Sequence, residues 1–125
     1  MDQRSLKRVR VTLACIASIG AIVAVVGTAS AGSNLCNANR VCIYDHVDWV
    51  ALLGQRAPGN GLVNVSAGAN DRTSSWENKT GTNGRWYQHS NGGGFCRSML
   101  AGRENRYVGD SVNDQLSSWA TNRGC

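Results

Sequence analysis

The chain has 125 residues, with 13 lysine or arginine residues against eight aspartate or glutamate residues and a formal net charge of +5. It contains five cysteines and a single proline. A chain of this length forms one domain, and it is too short for a Rossmann-type or (β/α)-barrel enzyme.

The first 31 residues have the order of features of a secretory signal peptide. A basic start is followed by an apolar run from Val11 to Gly27 and by small residues that end at Ala31. This order predicts a signal-peptide helix over residues 1–31, cleaved after Ala31, and one secreted, extracellular domain over residues 32–125. The alternative is an uncleaved anchor, because the run of about 17 residues is at the lower limit for spanning a membrane.

The net charge of the predicted mature domain is small. Residues 32–125 contain nine basic and seven acidic side chains, so the net charge falls to +2. A nucleic-acid partner is therefore not expected, since it would need a basic face on the folded domain. No apolar stretch after Ala31 is long enough to cross a membrane, so no membrane contact is expected after cleavage.

Short apolar clusters follow along the chain, separated by stretches rich in Gly, Asn, Asp and Ser. No window keeps a 3.6-residue apolar period over three turns, and short β-prone clusters at regular spacing predict an all-β sandwich or barrel. A helix over Asp48–Arg56 is the alternative for one segment. In chain order the clusters are Val41–Tyr44, Trp49–Leu53, Leu62–Val65, Trp86–Tyr87, Phe95–Leu100 and Tyr107–Val112.

An internal repeat appears when the chain is shifted by 43 residues without a gap. Segment 70–76 then falls on segment 113–119, and both read Asn-Asp-x-x-Ser-Ser-Trp. Two units of this size predict two related four-stranded motifs that share one core, since two copies are too few for an open solenoid. His46 falls on His89, and we interpret both as exposed strand residues rather than zinc ligands.

The repeated segments 70–75 and 113–118 each contain an asparagine amide, an aspartate carboxylate and two serine hydroxyls. These groups are hard oxygen ligands, and Ca²⁺ takes six to eight oxygens. The alternative is a plain turn, because Asn, Asp and Ser also bond to their own backbone. Two copies in register, each closed by a tryptophan, favour calcium as a cofactor.

Four cysteines remain after the signal segment: Cys36, Cys42, Cys96 and Cys125. An even number in a small exported domain predicts two disulfides. Three pairings are possible and the sequence does not choose among them. Cys36 and Cys42 are close enough to close a short loop, and a bond from Cys96 to Cys125 would then tie the C-terminus to a middle strand. A four-cysteine zinc site would need close pairs, which these spacings lack.

The motif Asn/Asp-Asn/Asp-x-x-Ser/Thr-Ser resembles the calcium motif of microbial βγ-crystallin domains, and the resemblance extends over Leu35–Cys125. It implies two Greek-key motifs forming one βγ-crystallin-like sandwich, with two loops that clamp two Ca²⁺ ions. It also implies that Trp76 and Trp119 are core anchors. The implied metal ligands are the backbone carbonyls of Arg72 and Gln115, the hydroxyls of Ser74 and Ser117, and a side chain from each opening pair, Asn70 or Asp71 and Asn113 or Asp114.

Each loop carries one carboxylate rather than two, and Arg72 places a positive charge beside the first site. Few charges make a weak site, and we expect a dissociation constant of about 10⁻⁴–10⁻³ M. The site nearer Arg72 is expected to be empty at physiological calcium.

The early pair Cys36 and Cys42, followed by Ile43-Tyr44, and the late pair Cys96 and Cys125 are similar to the actinobacterial metalloproteinase-inhibitor family. This resemblance implies a monomeric, non-enzymatic protein whose partner is an extracellular protease. Its members present a rigid loop, which loses little entropy on docking. The candidate loops, by position, are Asn60–Ala69 and Asn91–Cys96. The alternatives are a calcium-stabilised extracellular module without inhibitory activity and a secreted toxin or antimicrobial protein.

Overall fold

The computed structural model describes residues 34–125. The signal-peptide helix predicted over residues 1–31 lies outside the described residues. The described part of the chain contains β-strands and two short 3₁₀ turns, at Val47–Trp49 and Ser90–Gly92. None of its helices has the length and hydropathy needed to cross a membrane. The strands are β1 (Val41–His46), β2 (Val50–Arg56), β3 (Val63–Asn64), β4 (Ser75–Asn78), β5 (Gly84–Tyr87), β6 (Cys96–Met99), β7 (Glu104–Asn105) and β8 (Ser118–Ala120).

The strands form two four-stranded antiparallel sheets, in the orders β2-β1-β4-β7 and β3-β8-β5-β6. Strands β1–β4 come from the first repeat and β5–β8 from the second. Each repeat keeps three strands in one sheet and sends its third strand to the edge of the other sheet. This exchange joins two Greek-key units into one sandwich, and it confirms the predicted all-β class.

The core lies between the sheets and is built around three tryptophans, Trp76, Trp86 and Trp119. Trp76 and Trp119 are only 7% and 4% exposed, which confirms them as core anchors. They are joined by the buried side chains of Val41, Ile43, Met99, Val112 and Leu116.

Strand β1 is buried on both faces. Its side chains alternate between the two faces of the sheet, and a different hydrophobic cluster covers each face. Val41 and Ile43 point into the main core, whereas Cys42 and Tyr44 belong to a second, smaller cluster with Cys36. Cys36 and Cys42 form a disulfide within this cluster. The other disulfide joins Cys96 on β6 to Cys125, and so ties the C-terminus to the second sheet.

Two expectations about individual segments were wrong. The alternative helix over Asp48–Arg56 is a 3₁₀ turn followed by β2. The cluster Tyr107–Val112 is a loop with turns rather than a strand, since Gly109 has a left-handed φ of 102° and accepts a hydrogen bond from the Val112 N–H. Val112 is still buried in the core, so the cluster was correctly identified as apolar and incorrectly as β.

Two glutamates face each other across the first sheet. Glu77 on β4 is 2% exposed, accepts a hydrogen bond from the Tyr44 hydroxyl, and lies 3.8 Å from the Lys79 ammonium. Its cross-strand partner on β7 is Glu104. Partial burial, and then the charge of Glu77, raise the pKa of Glu104, while Lys79 partly offsets this.

The substitution Glu104→Gln tests this pair. Because the folded-state pKa is raised, the folded protein binds the proton more tightly than the unfolded chain, so the related stability is lost as pH rises through the folded pKa. At pH 7 we expect Glu104→Gln to be more stable than the wild type by roughly 0.2–1 kcal/mol, toward the low end because Glu104 is exposed. Urea unfolding at pH 7 and at about pH 3.5, where the gain should vanish, measures it. An equal effect at both pH values would contradict this account.

Candidate functional site

The two repeated loops lie side by side and are joined by their backbones. The Asp71 N–H donates to the Leu116 carbonyl at 3.1 Å, and the Asp114 N–H donates to the Thr73 carbonyl at 3.1 Å. Both aspartates have a left-handed backbone, with φ of 57° and 59°. Asp tolerates this conformation better than most residues do, which explains its place at this turn. The two loops that repeat each other in sequence are therefore also in direct contact in the fold.

Each aspartate reaches across to the serine of the opposite loop. The Ser117 hydroxyl donates to Asp71 at 3.0 Å, and the Ser74 hydroxyl donates to Asp114 at 3.4 Å. Asn70 instead donates its side-chain amide to the neighbouring Asp71 carboxylate at 3.1 Å. The sequence left open which member of each opening pair crosses, and in the structure it is the aspartate.

These contacts define two sites. We call the contact between the Asp71 carboxylate and the Ser117 hydroxyl the Asp71 site; the resemblance to the calcium motif implies that the Gln115 carbonyl belongs to it. We call the contact between the Asp114 carboxylate and the Ser74 hydroxyl the Asp114 site; the resemblance implies that the Arg72 carbonyl belongs to it. A cavity of about 630 Å³ opens at the Asp71 site, and its lining also includes Asn70, Gln88, His89, Ser90 and Asp114.

The two sites differ in one side-chain pair at equivalent positions. At the Asp71 site the Gln88 amide donates to the Gln115 side-chain oxygen at 3.1 Å. At the Asp114 site the corresponding residues are Asp45 and Arg72, which form a salt bridge. The Asp45 hydrogen bond and charge raise the pKa of Arg72, and the charge of Asp114 adds to this effect. The Asp114 site therefore already has a cation, the Arg72 guanidinium, beside its carboxylate.

The donor set suits a hard cation. Each site brings together a carboxylate and a hydroxyl, and the buried side-chain oxygen of Asn113 has no hydrogen-bond partner. Within residues 34–125, no group of three or more His, Cys, Asp or Glu side chains is arranged to hold a metal ion. His46 and His89 are exposed. Calcium, which accepts neutral oxygens, fits these residues better than zinc, which prefers nitrogen and sulfur.

The sequence missed Asp45 and Gln88 as site residues. Both lie at the end of a buried strand segment and carry no motif of their own. The 43-residue shift that aligns the loops also aligns Asp45 with Gln88 and Arg72 with Gln115. Comparing the two repeats at these upstream strand positions would therefore have identified Asp45 and Gln88 as site residues.

The last serine of each motif fixes a neighbouring turn. The Ser75 hydroxyl donates to the His46 carbonyl at 2.6 Å and accepts from the Trp49 N–H at 3.1 Å. The Ser118 hydroxyl makes the equivalent bonds to His89 at 2.6 Å and Gly92 at 3.0 Å. Both serines are fully buried, so each motif loop is tied to the turn that follows β1 or β5.

The fold and the paired loops define a βγ-crystallin-type domain, and the solved structures agree. A chain from work on the evolution of the eye-lens βγ-crystallin domain fold is 20% identical, with a TM-score of 0.57 over 68% of this chain and 87% of that one. A βγ-crystallin from an archaeon is 24% identical, with a TM-score of 0.51 over 68% and 99% of the two chains. A βγ-crystallin domain from Flavobacterium johnsoniae is 22% identical, with a TM-score of 0.51 over 64% and 90%. These identities establish the fold alone.

The sequence profile of peptidase inhibitor family I36 matches residues 29–99. Since this is more than half of the chain, the protein belongs to that family, which confirms the resemblance found in its cysteines and loops. The matched region ends on β6, before the second motif loop. A search of curated protein sequences gives no significant match.

The single substitutions Ser75→Ala and Ser118→Ala test whether these hydrogen bonds between the motif loops and the neighbouring turns stabilise the fold. Each removes a buried hydroxyl and leaves one carbonyl and one N–H without their partner, so each should cost about 1–3 kcal/mol. Denaturant unfolding measures the change. Ser111→Ala is the control, because Ser111 is an exposed serine near the same loop and should change stability by less than about 0.5 kcal/mol. Losses no larger than that of the control would contradict the proposed role.

Proposed function

We propose that this protein is a secreted inhibitor of extracellular metalloproteases that carries one weak Ca²⁺ site. The inhibitor-family match is the observation that supports it most strongly. The signal-peptide cleavage after Ala31 and the mature domain over residues 32–125 are part of the proposal, as is a non-enzymatic, monomeric state.

The proposed docking surface combines both candidate loops, 60–69 and 91–96, which meet in the fold. The Asn64 side chain donates to the Asn91 side-chain oxygen at 3.2 Å and accepts from the Asn91 N–H at 2.7 Å. Leu62 and Val63 are exposed next to this contact, at 39% and 44%. Exposed apolar side chains beside a braced loop supply the buried centre that a protein interface needs.

The glycine-rich segment of this surface is held rigid from several sides. The His89 N–H donates to the Gly93 carbonyl at 2.9 Å, and the Gln88 N–H donates to the Phe95 carbonyl at 3.1 Å. A Cβ at Gly94 would lie 2.7 Å from Gln88, so this close approach requires glycine. The Cys96–Cys125 disulfide closes the segment. Such pre-ordering lowers the entropy cost of binding a protease.

The proposed ion binds at the Asp71 site, where the Asp71 carboxylate, the Ser117 hydroxyl and the Gln115 carbonyl would hold it. Bound calcium supplies a positive charge that links the two loops. The cavity of this site is also lined by Gln88, His89 and Ser90, which directly precede the docking segment 91–96. An ion there would stiffen the base of the docking surface. The Asp114 site would stay empty because Arg72 competes for its negative charges.

Protease inhibition is tested with purified residues 32–125 against a thermolysin-type zinc protease, with trypsin and subtilisin as controls. We expect inhibition of the zinc protease at submicromolar concentration. Leu62→Asp should weaken it at least ten-fold, since a charge would replace the apolar contact. Leu100→Asp is the matched control, because Leu100 is 50% exposed and lies outside the docking surface. Failure to inhibit any zinc protease at 10 µM would leave a calcium-stabilised module without inhibitory activity.

Calcium binding is tested by thermal melts with and without 10 mM CaCl₂. At 10 to 100 times the expected dissociation constant, binding to the folded form should add about 1.4–2.7 kcal/mol. Asp71→Asn should abolish this gain, whereas Asp114→Asn should keep it. A gain that survives Asp71→Asn, or no gain in the wild type, would remove the calcium proposal.

Arg72→Gln converts the Asp114 site to the side-chain pattern of the Asp71 site and leaves Asp45 unpaired. We expect the number of ions bound, measured by isothermal titration calorimetry, to rise from one to two. An unchanged number would show that Arg72 does not decide occupancy. Arg123→Gln, at an exposed position away from both loops, is the control.

A further inference from the structure

A second groove lies between the turn after β1 and strand β7, and it shares no residue with either metal site. Its volume is about 510 Å³. The groove is lined by Asp48, Trp49, Glu104, Asn105 and Arg106. It combines one large aromatic ring with four hydrogen-bonding side chains, and neither the inhibitor family match nor the calcium motif accounts for it.

Trp49 is held in place through its backbone and through its ring. Its backbone N–H donates to the Ser75 hydroxyl at 3.1 Å, and its ring N–H donates to the Trp76 carbonyl at 3.2 Å. The ring is only partly buried and packs against the small cluster of Cys36, Cys42 and Tyr44. Since the ring N–H is already bonded, the indole offers the groove apolar aromatic surface and not a polar donor.

The other half of the protein shows that this turn does not require a tryptophan. Trp49 has a left-handed φ of 59°, which is unfavourable for a bulky side chain, and the equivalent residue in the second repeat is Gly92 at 73°. The two turns otherwise have the same form and the same serine contacts. Glycine would satisfy the backbone at lower cost, so the ring is present for what its side chain contacts.

The polar side chains of the groove are also ordered. Arg106 donates to the Asp48 carboxylate at 2.7 Å, and the Asp48 N–H donates to the Arg106 carbonyl at 2.9 Å. The side-chain oxygen of Asn105 accepts the Tyr107 N–H at 3.1 Å, which fixes the orientation of its amide. Together these side chains offer donors and acceptors, and the two charges of Asp48 and Arg106 neutralise each other.

We propose that this groove binds an uncharged saccharide, with one sugar ring stacked on Trp49 and its hydroxyls bonded to Asp48, Arg106, Asn105 and Glu104. The C–H face of a sugar ring is apolar and matches an indole surface, whereas each hydroxyl both donates and accepts a hydrogen bond. Carboxylate, amide and guanidinium groups are complementary to such hydroxyls, and a concave site with an aromatic wall and a few fixed polar groups is typical of small-ligand binding.

The test uses purified residues 32–125 with ¹⁵N labelling and three uncharged probes: chitotetraose, cellotetraose and laminaritetraose. At least one probe should shift the Trp49 indole NMR signal, with a dissociation constant of 1 mM or tighter (about −4 kcal/mol). Arg106→Ala should weaken that binding at least ten-fold, because it removes the guanidinium and frees Asp48 to move. Trp49→Ala should abolish it, and Arg106→Ala still decides the question if Trp49→Ala does not fold.

Arg123→Ala is the matched control and should leave the affinity unchanged, because Arg123 is an exposed arginine outside the groove. The proposal is overturned if no probe binds at 10 mM, or if Arg106→Ala binds as tightly as the wild type. Preferential binding of tetralysine over every saccharide would also overturn it, since the groove would then recognise positive charge. Protease inhibition is measured separately and has no bearing on this outcome.

Discussion

The cross-bracing of the two repeated loops is the interaction on which the rest of this protein depends. Each loop donates a backbone N–H to the other, and each places its aspartate against the other's serine. A single loop of this composition would be an ordinary turn, whereas two in contact place two carboxylates and several neutral oxygens close together. The final serine of each motif then extends the bracing to a neighbouring turn, so the loops, the turns and the sheet ends form one rigid end of the sandwich.

The two sites lie at equivalent positions of the repeat, and two residue differences between the halves make them chemically different. In one half the neighbouring pair is Gln88 and Gln115, which bond to each other without charge. In the other half it is Asp45 and Arg72, which form an ion pair beside Asp114. The Asp114 site thus has its own positive charge, the Arg72 guanidinium. The same loop geometry therefore contains an internal cation on one side, whereas the other side lacks one and is where we propose that calcium binds.

The two turns after β1 and β5 have diverged in the same way. Both are held by a buried serine and share left-handed backbone positions, but one contains Asp48 and Trp49 and the other contains Asn91 and Gly92. The glycine version allows a close approach of the chain beside Leu62 and forms part of the proposed protease surface. The tryptophan version places an aromatic wall in a polar groove. A common scaffold with two different turns gives one small domain two separate surfaces.

The sequence alone determined the features that depend on local composition or on exact repetition: the all-β class, the two units, the paired motifs and the tryptophan anchors. These could be predicted because alternation, turn residues and a fixed 43-residue shift are written along the chain. Strands β4 and β8 were not among the apolar clusters, since each has one tryptophan among smaller or polar residues. Only the tertiary structure decided that Asp71 and Asp114 cross between the loops, that Arg72 meets Asp45, and that Trp49 faces Glu104 and Arg106. Those contacts join residues that are at least 27 positions apart, and they depend on how the sheets exchange strands, which no local pattern encodes.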